Sequence, residues 1–199
     1  MVAGRAAWGD VGGDPIVSHQ RKSKIVTEKD SWETPQWLFD LLDAEFHFDF
    51  DGACTRENCL CDHGAFVGEF DPLSWTPTWK RVFLNPPYSA GNIDKFMAKA
   101  LEESQKGAVV VCLVPCATDT RWWHSYAMKA QEIRFIKGRV RFVGYDDEGN
   151  QVKNSPTFSS CVAIFWPKEP EAINDPPEIG KTIEQPKRTK PEQQEQTVR

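Results

Sequence analysis

No apolar run in this chain approaches the roughly 18 residues needed to cross a bilayer. The longest, residues 108–114, has the length and β-branching of a buried strand. The first residues lack an apolar stretch resembling a signal peptide. There is no excess of positive charge either. A formal net charge of −5 excludes a protein that is basic all over, although nucleic-acid binding needs only a basic face. The six cysteines, at 54, 59, 61, 112, 116 and 161, lack zinc-site spacing. Cys59-Leu60-Cys61 with His63 is a C-x-C-x-H run, not C-x₂-C, so no metal is expected. Reduced thiols acting as small hydrophobes are the expectation. Together these absences point to a soluble intracellular protein with no membrane contact.

What is present suffices for one substantial core. In 199 residues, 40% hydrophobic and 12% aromatic content are globular values. Residues 1–28 are Gly-rich, then basic, without apolar periodicity, and read as a flexible arm. From 168 to 199 the chain is Pro, Glu, Lys and Gln with few large apolar residues, and reads as a disordered tail. The folded unit is expected over 29–167.

Within it, Thr34 is a candidate N-cap and Pro35 a first helical residue, with Leu38, Leu41 and Leu42 on one face up to Phe46. Phe48-Asp49-Phe50-Asp51 alternates like a strand entering a turn at Gly52-Ala53-Cys54, and Phe66-Val67 is a short strand. Ile93, Phe96, Met97, Ala100 and Leu101 have helical spacing from Asn92, stopped by Gly107. Thr120 is read as capping a helix through Ala130. Strands are expected at 133–136, 140–143 and 160–165, with a turn at Glu148-Gly149-Asn150. Strands alternating with helices, then strands alone, describe an α/β sheet with an antiparallel C-terminal end.

The most informative stretch follows the apolar run Val82-Phe83-Leu84. In Asn85-Pro86-Pro87-Tyr88 two prolines hold the chain extended and carry no N–H, so carbonyls can face a cleft without competing donors. The tetrapeptide resembles the catalytic loop of S-adenosylmethionine-dependent amino-methyltransferases. Four further segments lie in the same order over residues 31–166. They are Trp32-Glu33-Thr34-Pro35, the run from Phe48 to Cys54, the run from Leu113 to Trp123, and the run from Ile133 to Phe142. With them the chain resembles the phage-type, Dam-like DNA adenine-N6 methyltransferases of phages and prophages.

The resemblance implies an abridged Rossmann-like methyltransferase sheet, S-adenosyl-L-methionine as cofactor and double-stranded DNA as substrate. It also implies work in the cytoplasm of a bacterial host, with no obligate protein partner readable. It assigns catalysis to Asn85, Pro86, Pro87 and Tyr88, the Asn oxygen and first Pro carbonyl accepting hydrogen bonds from a flipped adenine's amine. Thr34, Pro35, Asp51, Asp71 and Asn85 would hold the cofactor, although Asp-Gly and Asp-Pro are also ordinary turn pairs. The chain departs from the wider superfamily in having no G-x-G loop after Asp51, and only about 30 residues separate that strand from Asn85. It also lacks room for a separate target-recognition domain, so DNA contacts should come from loops of the catalytic domain.

Between 121 and 141 six basic residues face one acidic residue, Glu132. Arg121, Lys137, Arg139 and Arg141 are the candidates for DNA contact, the last three sharing one face of a strand. Trp122 and Trp123 beside them are more in keeping with core. Two alternatives stay open: an amino-methyltransferase acting on a protein glutamine or an RNA base, and an inactive DNA-binding relative.

Overall fold

The computed structural model describes residues 32–67, 73–75, 80–145, 151–152, 156–167 and 178–186. The expected N-terminal arm, Asp71 and the turn at 148–150 lie outside them.

In chain order the elements are α1 (Gln36–Phe46), β1 (Phe50–Cys54), β2 (Gly64–Phe66), β3 (Arg81–Leu84), α2 (Asn92–Gln105) and β4 (Val109–Pro115). Then come α3 (Arg121–Ser125), a 3₁₀ turn (Ala127–Lys129), β5 (Glu132–Ile136), β6 (Gly144–Tyr145), β7 (Gln151–Val152), β8 (Ser160–Phe165) and β9 (Glu178–Ile183). The main sheet runs β2-β1-β3-β4-β8-β5-β9, and β6 and β7 form a separate pair. β2, β1, β3 and β4 are parallel; β8 is antiparallel to both β4 and β5, and β9 is parallel to β5. This is the expected α/β sheet with antiparallel pairing towards its C-terminal end.

Strand alternation sorts the core onto two faces. Val82, Leu84, Val110, Cys112, Val114, Ala163 and Phe165 face α2 and α3, together with Trp122 and Trp123, which are core as expected. Phe83, Val111, Leu113, Val162 and Ile164 face Leu38, Phe39, Leu42 and Phe46 of α1. Helices therefore cover both sides of the sheet. Among the described residues no helix is long and apolar enough to cross a membrane.

Five expectations need correction. Gly52-Ala53-Cys54, expected as a turn, continues β1, with Cys54 paired to Phe66 of β2. The helix expected from Thr120 to Ala130 stops at Ser125, because Tyr126 leaves helical geometry at φ −131°, ψ −56°. The strand expected over 140–143 is not formed. Gly138, at φ +82°, turns the chain off the sheet after β5, and only Val143 pairs, as a bridge to Glu33. Thr34 does not cap α1; Pro35 takes that position and no side chain caps the helix. The tail expected to be disordered from 168 supplies β9, which lies beside β5 with Ile183 buried.

Candidate active site

The chain leaves β1 for β2 on one side of the sheet, whereas β3 leads through α2 to β4 on the other. The crevice beyond the carboxyl ends of β1 and β3 is thus the topological switch point, where open α/β sheets bind ligands. A small polar cavity of about 30 Å³ opens there, lined by Trp32, Glu33, Thr34, Asp51, Ala53, Asn58, Leu60, Phe83 and Asn85. The sequence-expected residues Thr34, Asp51 and Asn85 are brought together in it, 51 positions separating Thr34 from Asn85.

Asn85 follows β3 directly, and Pro86 and Pro87 behind it are buried. Its amide Nδ2 donates to the Trp32 carbonyl at 2.9 Å and to Thr34 Oγ1 at 3.0 Å. Its Oδ1 accepts from the Tyr88 hydroxyl at 2.7 Å, and that hydroxyl also lies 3.1 Å from the Leu113 carbonyl of β4. The Tyr88 ring stands nearly perpendicular to Phe142 and Phe158, and burial pushes its phenol well above the usual range. The turn is therefore a fixed constellation and not a loose Pro-rich loop.

Asp51 is buried, its carboxylate receiving the Ala53 and Leu60 N–H groups, each at 3.2 Å. Burial outweighs those two bonds and pushes its pKa up to about 6. Asp51, Cys54 and Cys59 offer ligand atoms within 4.8 Å of one another. Burial and the neighbouring Asp51 raise the Cys54 thiol strongly, and push Cys61 up to about 12. Both carboxylate oxygens are already on backbone N–H groups, so Asp51 serves here as an internal cap beside the two sulfurs. Gly64 is required beside it, since a Cβ there would collide with both the Cys54 and Cys59 sulfurs.

The basic candidates lie on the same edge of the sheet. β5 is antiparallel to β8, which is antiparallel to β4, so β4 and β5 end on the side where β3 delivers Asn85. Arg121 follows the end of β4, with its side chain 86% exposed and 3.2 Å from Asp94. Lys137 follows β5 and pairs with Glu184 at 3.2 Å. Arg139 and Arg141 are exposed and meet no charged partner among the described residues, whereas Val140 and Phe142 between and after them are buried. The alternation expected of a strand is kept by an extended loop. Arg134, counted in the same basic cluster, belongs instead to the interior: it is buried against Glu45 and Glu132.

Sequence reasoning missed Glu33, Asn58 and Phe158. Asn58 Nδ2 donates to Glu33 Oε1 at 3.3 Å, and Glu33 exchanges backbone bonds with Val143 at 2.8 and 3.1 Å. Glu33 was at hand in the Trp32-Glu33-Thr34-Pro35 segment, but nothing in the spacing singled out Asn58.

A family model described as DNA N-6-adenine-methyltransferase (Dam) matches residues 21–182. A protein of Escherichia phage T1 named DNA N-6-adenine-methyltransferase is 30% identical over 129 residues, 64% of this chain and 52% of that one. This chain thus spans about half the length of that relative. A protein of the same name from Haemophilus phage HP1 is 28% identical over 152 residues, 72% of this chain and 83% of that one. The family match takes in the Trp32–Pro35 segment, the Asn85 turn, the basic loop and nearly all of β9, and the chain belongs to the DNA N-6-adenine-methyltransferase (Dam) family.

Proposed function

We propose that the chain transfers a methyl group from S-adenosylmethionine to the N6 amine of an adenine turned out of double-stranded DNA. The observation that carries this reading is the Asn85-Pro86-Pro87-Tyr88 turn at the switch-point crevice, with its amide held in one orientation. Adenine's exocyclic amine is a poor nucleophile because its lone pair is delocalised into the ring. Asn85 Oδ1 and the Pro86 carbonyl each accept one N6–H, which turns the lone pair out of conjugation. Such acceptors favour the positive charge that develops on nitrogen, and positioning supplies most of the rate effect. A base-paired amine is hidden, so the adenine leaves the stack and the Tyr88 ring offers its landing face.

The crevice suits the cofactor in chemical character. The carboxylates of Glu33 and Asp51 line it, matching a ligand with cationic groups, and Asp51 and Asn85 are the lining residues that would hold it, with Pro35 assigned by resemblance. Bound there, S-adenosylmethionine supplies an electrophilic methyl group on a sulfonium. Asp71 is assigned to the same cofactor by resemblance alone. Arg121, Lys137, Arg139 and Arg141 follow the duplex backbone from the same edge. The two relatives are phage proteins, and the corresponding place of action is a bacterial host's cytoplasm.

Incubating the protein with unmethylated plasmid and labelled S-adenosylmethionine, then sequencing with modified-base detection, tests the proposal. N6-methyladenine at a defined sequence is expected. Label confined to protein or RNA, or no transfer, would overturn it.

A further inference from the structure

Thr34, assigned to the cofactor by resemblance, makes a bond that points to a different role. Thr34 stands one residue before Pro35, the N-cap of α1, where the sequence signals a capping hydroxyl. It makes no such bond. Its Oγ1, in a residue only 8% exposed, accepts from Asn85 Nδ2 instead. The Trp32 carbonyl accepts from the same nitrogen. A carbonyl can only accept, so the end of the amide that faces Trp32 has to be the NH₂. The oxygen is then forced to the opposite side.

We infer that Thr34 and the Trp32 carbonyl are positioning groups, which set the direction of the Asn85 amide so that its oxygen faces the incoming amine. This rests on the methyl-transfer reading given above. The strap that carries them is itself tied down. Glu33 and Val143 exchange two backbone bonds, the Trp32 ring packs on Phe142 at 5.9 Å, and Asn58 reaches the Glu33 carboxylate. A free Asn amide has two faces of nearly equal energy, and turning it over would offer donors to an amine that is itself a donor. Two fixed acceptors on one side remove that alternative.

The other side is prepared as well. Oδ1 now receives the Tyr88 hydroxyl, which has a second acceptor in the Leu113 carbonyl at 3.1 Å. When an amine takes Oδ1, the hydroxyl proton turns to Leu113 and keeps a partner. The acceptor is thus satisfied in the resting protein and released without leaving a buried hydroxyl unpaired.

Thr34→Val keeps the shape of the side chain and removes its acceptor. Its kcat on plasmid DNA should fall about tenfold or more, since small misplacement of a reacting group is costly. The KM for DNA and the calorimetric Kd for S-adenosylhomocysteine should stay within about twofold, and the melting temperature should barely move. Thr34→Ser should restore kcat. In ¹⁵N-correlated spectra the Asn85 side-chain NH₂ signals should shift in Thr34→Val and return in Thr34→Ser. Unchanged kcat and NH₂ signals in Thr34→Val would overturn the inference. So would weaker cofactor-product binding with kcat intact, which would make Thr34 a cofactor contact. A wild-type protein that leaves adenine unmodified would instead defeat the functional reading, while the NH₂ shift still reports on the Thr34–Asn85 bond.

Discussion

Arg134, on β5, holds both carboxylate oxygens of Glu45, on α1, at 2.6 and 2.7 Å across 89 positions of sequence. The same guanidinium reaches Glu132 at 2.8 Å, so one cation ties a helix to the sheet and neutralises a buried acid. Its hydrogen bond to Glu45, then that to Glu132, holds the guanidinium above its ordinary range, and Arg134 keeps both carboxyls below theirs. Arg134→Ala leaves the largely buried Glu132 to the exposed Lys181, 3.4 Å away, and should lower unfolding free energy by up to about 3 kcal/mol in urea titrations. Arg121→Ala, at an exposed pair, should change it by less than about 1 kcal/mol.

Asp51 shifts the other way, and the sign matters. Its folded pKa, about 6, lies above the ordinary Asp value of 3.8, so the folded state binds the proton more tightly between those values. Its contribution therefore favours folding at low pH and is lost as pH rises through that window. Glu45 and Glu132 contribute oppositely, their stabilisation being lost on acidification through their lowered pKa values. Asp51→Asn should gain stability relative to wild type as pH is raised from 4 to 6.5 in urea titrations. A difference that does not vary with pH would show that Asp51 ionises normally.

Tyr88 separates ring from hydroxyl. Tyr88→Phe removes a proton donor that the target amine replaces at Asn85, and should keep kcat within about threefold. Tyr88→Ala removes the stacking face, worth about 1–3 kcal/mol per base, and should lose most activity. Equal loss in single-turnover assays of both variants would give the hydroxyl a part in the chemistry.

Arg139 and Arg141 are exposed, with no charged partner among the described residues, on the edge where the Asn85 turn lies. Replacing both with Ala should weaken duplex binding and lessen the slope of log K against log salt by up to about 2, roughly 0.9 per phosphate contact. Calorimetric affinity for S-adenosylhomocysteine should stay unchanged. An unaltered salt slope would mean that the loop does not touch DNA.

Ile183→Ala should destabilise by roughly 2–4 kcal/mol, the usual cost of emptying a buried Ile site. A shift near zero in the melting curve would place β9 outside the cooperative unit.

How legible the chain was depended on how much of each element is buried. β4 and β8 are apolar at nearly every position, so period and length alone located them. Residues 178–183 carry only Ile179 and Ile183 as large apolar side chains, and Ile179 is 58% exposed, because a strand held mainly by backbone pairing needs little apolar surface. Averaged with its Pro- and Glu-rich surroundings, that segment reads as disordered. Asn85 and Tyr88 stood out because two prolines mark their turn. Thr34 was visible as a residue but not in its role: a hydroxyl before Pro35 signals a helix cap, and only the fold shows Asn85 beside it. Asn58 carried no pattern, since its part comes from a contact 25 positions away.

β8 follows β4 and β5 in sequence, yet it lies between them in the sheet. During synthesis β4 and β5 emerge before the strand that joins them. A nascent chain halted before Ser160 has β4 and β5 with the backbone groups that β8 will take still unpaired, a template for association with other chains. Joining β4 to β5 thus waits for residue 165 to leave the ribosome. In a cell making many copies at once, translation speed past residue 165 and chaperone supply should govern the soluble yield.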